Sequence, residues 1–111
     1  MRILLIEDEP LIAFDLAAIV EGLGHEIVGV ADTEPEAVSL ASTLRPDAAL
    51  VDVNLRDGFK GPRIVARLSS EFAVACAYVT GNPDQVTDAA RPIVTKPFSE
   101  QDVATVVERL G

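Results

Sequence analysis

Short apolar runs alternate along this chain with stretches in which apolar residues recur every three or four positions. RILLI, residues 2–6, is nearly all apolar, which suits a strand buried on both faces. Residues 11–23 carry Ile12, Leu16, Ile19 and Leu23 on one stripe and predict a helix that Gly22 and Gly24 end. Pro10 suits its first position, where no amide hydrogen is needed. EIVGVA, residues 26–31, predicts a second strand. Thr33 and Glu36 have capping-box spacing and open a helix that ends before Arg45 and Pro46.

DAALVDV, residues 47–53, predicts a third strand. The loop NLRDGFKG then leads to a short helix over residues 62–69, and residues 73–79 predict a fourth strand. Asn82 and Pro83 read as the cap and first residue of another helix, with Gln85 completing a second capping box. Pro92 stops that helix by about Arg91. Residues 93–95 predict a short fifth strand. Residues 99–110 predict the last helix, with a Ser-x-x-Asp start at Ser99 and Asp102. Five strands alternating with helices imply right-handed crossovers and a parallel sheet covered on both faces, an α/β three-layer sandwich.

The length of 111 residues allows one domain, 1–111, with a real core. At 49% hydrophobic and 24% charged, the chain is too apolar for disorder. No apolar run approaches the roughly 20 residues of a membrane span, and residues 1–3 begin a strand rather than a signal peptide. The single cysteine, Cys76, lies in AVACAYV and reads as a buried, inert thiol, which fits a reducing cytoplasm. A formal charge of −9 argues against nucleic acid as a partner and suits a binder of cations or of basic surfaces.

In parallel sheets, ligands bind beyond the carboxyl ends of the strands. Glu7 and Asp8 follow the first strand, Asp52 and Asn54 stand at the third, Thr80 at the fourth and Lys96 at the fifth. Each has an ordinary reading: helix-dipole acids, a cap or turn at Asp52, a cap at Thr80, a charge partner at Lys96. Their convergence on one edge points instead to phosphoryl chemistry. Glu7, Asp8 and Asp52 would hold a hard cation such as Mg²⁺, Asp52 would act as nucleophile, and Thr80 and Lys96 would meet the phosphoryl oxygens. Three rivals fit less well. A flavin carrier would not place EDEP where phosphate must bind, and an aspartate-nucleophile phosphatase would want an acid where Asn54 stands. An interaction module of the same shape that is not phosphorylated would have no use for the full set.

LLIEDEP, LVDVNL, YVTG and VTKPF, in this order, resemble the response-regulator receiver domain of two-component signalling across the whole chain. The resemblance implies a flavodoxin-like sheet in the order 2-1-3-4-5. It implies that Asp8 ligates Mg²⁺ directly, Glu7 through water and Asn54 by its carbonyl, and that Asp52 is the phosphoacceptor. Thr80 then matches the switch hydroxyl, Gly81 the small residue after it, Lys96 the lysine of the site and Pro97 a proline held in a cis peptide. Such a domain is not an enzyme, although it assists its own phosphotransfer and dephosphorylation.

Two departures stand out: Ile93 replaces the usual switch aromatic, and the fourth helix is shortened to about two turns. With Tyr78-Val79-Thr80-Gly81, these resemble the FAT GUY receivers, which implies a histidine kinase of the HWE class as donor and makes Tyr78 a candidate relay. With no effector sequence after Gly111, output is expected through an unidentified protein partner, or by acting as a phosphate sink.

Overall fold

In the computed structural model, which describes residues 1–88 and 90–111, strands and helices alternate as the hydrophobic pattern requires. They run β1 (Arg2–Ile6), α1 (Pro10–Gly22), β2 (Glu26–Ala31), α2 (Glu34–Leu44), β3 (Ala48–Asp52), α3 (Gly61–Phe72), β4 (Ala75–Thr80), β5 (Ile93–Thr95) and α4 (Glu100–Leu110). All strand pairs are parallel, in the order β2-β1-β3-β4-β5. The expected flavodoxin-like three-layer sandwich is therefore the fold.

Successive residues of a strand face opposite ways, and the core divides accordingly. Leu4, Ile6, Val51 and Tyr78 pack with Ile64 and Leu68 of α3 on one face. Ile3, Leu5, Leu50 and Val79 pack with Leu16 and Val20 of α1 and Val103 and Val107 of α4 on the other. Cys76 is buried, and burial pushes its thiol up to about 12, so it is inert at neutral pH. No helix of the described residues is long and apolar enough to cross a membrane.

The capping signals succeed unevenly. Ser99 and Asp102 form the full reciprocal box. Thr33 Oγ1 accepts from the Glu36 amide, but Glu36 reaches back one residue further, accepting from the amide of Asp32 at 3.0 Å. At Asn82 the reading fails. A helix to about Arg91 was expected, yet only a 3-10 turn over Pro83–Gln85 forms, with no side-chain cap. The Gln85 side chain bonds Asn54 instead, at 2.9 Å. Val86 then leaves the turn in an extended conformation and packs, half-buried, against the core. Burying Val86 outweighs continuing a helix that Pro92 would end within two turns. Ala89, inside the expected helix, lies outside the described residues. Helix α3 starts one residue earlier and runs three further than expected, closing on Ala73 in the left-handed region.

Candidate functional site

Asp52 ends β3, and β3 is buried along its whole length, so the backbone delivers this carboxylate to the mouth of the sheet with only 6% of the residue exposed. Glu7, just past β1, is fixed by its amide bonding the Ala31 carbonyl and is 3% exposed. Lys96 follows β5, where its amide bonds the Thr80 carbonyl at 2.8 Å. From there its ammonium donates to Asp52 Oδ2 at 3.2 Å and stands 3.0 Å from Glu7 Oε1. The second contact is one of charge: Oε1 has no well-aligned donor among the described residues. Glu7 Oε2 accepts from the Glu9 amide, and Asp52 Oδ1 from the Asn54 amide at 3.3 Å.

One cation between two buried carboxylates leaves negative charge in excess. Burial, seconded by the charge of Asp52, pushes Glu7 up to about 7 against the pull of Lys96. Burial works against the charge of Lys96, but Glu7 and Asp52 outweigh it and hold the ammonium above its ordinary value. Asp8 completes the cluster: Glu7, Asp8 and Asp52 each bring a carboxylate oxygen within 4.8 Å of the others. An all-oxygen set with a buried, poorly satisfied atom suits a small hard cation such as Mg²⁺.

The remaining expected residues fall into place unequally. Thr80 is buried at the end of β4, and its Oγ1 accepts from the Asn82 amide at 3.0 Å, leaving the hydroxyl hydrogen free to donate. Asn54 is exposed and turns its side chain to Gln85. Glu9 sits at the N-cap of α1 without a side-chain cap bond, where its charge still favours the helix end. The Lys96–Pro97 peptide is cis. Tyr78 is buried, with its hydroxyl 3.4 Å from Asp88; burial first, and Asp88 second, push it up to about 12.

Two contributors escaped the sequence reading. Gly61 opens α3 directly against the backbone of Asp52 and Val53: a Cβ there would lie 2.5 Å from Val53 Cα and 2.6 Å from the Asp52 carbonyl oxygen. The Gly61-Pro62 pair at a helix start was the available signal. Gln85 links the turn after β4 to Asn54, a contact between distant loops that no local pattern announces.

The profile of the response regulator receiver domain matches residues 3–108. The phyllosphere-induced regulator PhyR of Methylorubrum extorquens is 44% identical over 113 residues, covering 97% of this chain and 42% of that protein. The transcriptional regulatory protein PdtaR of Mycobacterium tuberculosis is 36% identical, covering 96% and 55%. The chain thus spans about half the length of these curated relatives. Among solved structures, the response regulator PhyR from Brucella abortus matches with a TM-score of 0.89 at 36% identity, over 98% of this chain and 46% of that one. SdrG from Sphingomonas melonis Fr1 matches with a TM-score of 0.85 at 35% identity, over 99% and 95%. With its fold, its acidic cluster and a match over nearly all its length, the chain belongs to the response-regulator receiver family.

Proposed function

We propose that residues 1–111 form a cytoplasmic receiver domain that takes a phosphoryl group from a histidine kinase onto Asp52, and thereby switches binding to a partner protein or acts as a phosphate sink. The observation that carries this reading is Lys96 Nζ standing between Glu7 and Asp52, with Asp8 completing a cluster of three carboxylates.

The Asp52 carboxylate is the nucleophile. Its oxygen bonds to phosphorus as the P–N bond of phosphohistidine breaks, and the electron pair returns to the imidazole nitrogen. Asp8 and Asp52 would hold Mg²⁺ directly, Glu7 through water and Asn54 by its carbonyl; the ion supplies neutralisation of charge on the phosphoryl oxygens. Lys96, already charged and poised beside Asp52, pairs with one of those oxygens once the carboxylate is esterified. The Thr80 hydroxyl donates to another, and the bond it accepts from Asn82 ties that movement to the following turn.

Ile93, the single turn after Asn82 and Tyr78-Val79-Thr80-Gly81 support membership of the FAT GUY subgroup and an HWE-class kinase as donor. Incubation with acetyl phosphate and Mg²⁺ should give acid-labile phosphate on the native chain and none on Asp52→Asn. Equal labelling of both would end the assignment.

A further inference from the structure

Outside the site, one carboxylate is nearly as buried as those within it. Glu34, the first residue of α2, is 7% exposed, and no step of the proposed phosphotransfer uses it. Burying a carboxylate is costly unless cations meet it. Two do: Arg63 Nε donates to Glu34 Oε2 at 2.9 Å and Arg67 Nη1 donates to the same oxygen at 3.4 Å. Both arginines belong to α3, and Arg63 is its third residue, directly after Gly61 and Pro62. The Gly61 amide donates to the Val53 carbonyl at 3.0 Å, and a Cβ on Gly61 would strike the backbone of Asp52 and Val53. Two contacts thus hold the first turn of α3: Arg63 ties it to Glu34, and Gly61 seats it on the end of β3.

The loop between β3 and α3 has little freedom of its own. Leu55 and Gly58 exchange two backbone hydrogen bonds of 2.9 Å, and the Arg56 guanidinium lies 3.1 Å from Asp32, two residues before Glu34. The segment carrying Asn54 is therefore fastened to the corner between β2 and α2 at two points, Arg56 to Asp32 and Arg63 to Glu34. The first pair is exposed and contributes little. The second has a buried member, so breaking it leaves a carboxylate short of a partner, and it carries the constraint.

We propose that Glu34 is a positioning residue of the phosphoryl site: through Arg63 it fixes the first turn of α3 against Val53, and so sets the backbone from Asp52 to Asn54. The inference rests on the receiver reading, in which the Asn54 carbonyl is a ligand of Mg²⁺. Loss of a group that orients a metal ligand commonly weakens metal binding roughly tenfold or more.

The test is a Mg²⁺ titration of the ¹⁵N-labelled chain, read at the amides of residues 7–8 and 52–54, in the native chain, Glu34→Ala, Arg63→Met and the double variant. The Arg63 side chain is 66% exposed, so Arg63→Met keeps the fold even where Glu34→Ala does not. Before Mg²⁺ is added, both single variants should shift the amides of residues 53–55 and 61. The dissociation constant for Mg²⁺ should rise roughly tenfold in Glu34→Ala and by less in Arg63→Met. The double variant should be no worse than Glu34→Ala alone, because both substitutions remove one shared contact. In labelling by acetyl phosphate, the Mg²⁺ needed for half the maximal rate should rise by the same factor, with little change in the rate at saturating Mg²⁺. Ser99→Ala removes the cap of α4 and lowers stability, and should leave the Mg²⁺ constant unchanged. An unchanged Mg²⁺ constant in both single variants, an equal loss in Ser99→Ala, or additive losses in the double variant would overturn the proposal. A native chain that binds Mg²⁺ yet takes no phosphate would strike the receiver reading and leave this one standing; a native chain that binds no Mg²⁺ would end both.

Discussion

Lys96 Nζ and Asp52 Oδ2, contributed by residues 44 positions apart, meet at 3.2 Å, and the same ammonium lies 3.0 Å from Glu7. Removing it leaves two buried carboxylates facing each other without a cation. Lys96→Ala is expected to lose roughly 2 kcal/mol at pH 8 in EDTA, because an uncompensated buried charge costs more than the pair contributes. Millimolar Mg²⁺ should restore part of that loss, since a divalent cation supplies the missing charge. Urea melts with and without Mg²⁺ measure both; a melt indifferent to the ion would show that no cation binds there.

Glu7 gives a pH dependence of definite sign. Its carboxyl is raised from 4.5 to about 7, chiefly by burial, so the folded state holds a proton that the unfolded state has released between those values. Stability from this group is therefore present below about pH 4.5 and is lost as pH rises through 7, amounting to about 3 kcal/mol by pH 8. In EDTA, Glu7→Gln should be more stable than the native chain at pH 8, and the difference should close below pH 4.5. Added Mg²⁺ should reverse the order at pH 8, because only the carboxylate helps to hold the ion. Parallel melts across pH decide it.

Gly61 is where α3 touches the end of β3, the strand that closes on Asp52. A methyl group 2.5 Å from Val53 Cα forces the helix start away from β3. Gly61→Ala should cost roughly 1–3 kcal/mol in a thermal or urea melt. It should also slow labelling of Asp52 by acetyl phosphate, since the displaced backbone is the one that aims the carboxylate. Unchanged stability and labelling would show that the junction is looser than its geometry.

How much of this was legible in the sequence depends on the range of the interaction concerned. The spans of β1, β2 and β5 follow from local apolar runs, and the Ser99 box from local spacing. The convergence of Glu7, Asp8, Asp52 and Lys96 was readable because strand ends in a parallel sheet share one edge. Illegible were contacts between loops. Gln85 had capping-box spacing, but its side chain found Asn54 across the mouth of the site, and Val86 found the core. Gly61 closed the expected loop NLRDGFKG, and only the packed structure shows which backbone it leaves room for.

Under the proposed function, Thr80 would separate loading from switching. Its hydroxyl accepts from Asn82 rather than from either carboxylate's neighbours, so it takes no part in holding Asp52 ready. Thr80→Ala should retain most of its phosphate incorporation, while the amide shifts of residues 81–86 on addition of acetyl phosphate and Mg²⁺ should shrink. Full-sized shifts in Thr80→Ala would remove the hydroxyl from the relay.

The most direct measurement is the intact mass of the native chain after acetyl phosphate, with the modified residue located by borohydride reduction and peptide mapping. One phosphoryl group on Asp52, dependent on Mg²⁺ and abolished by EDTA, is the expected result. Phosphate on a different residue, or the same modification in the presence of EDTA, would contradict the assignment of Asp52 and its acidic neighbours.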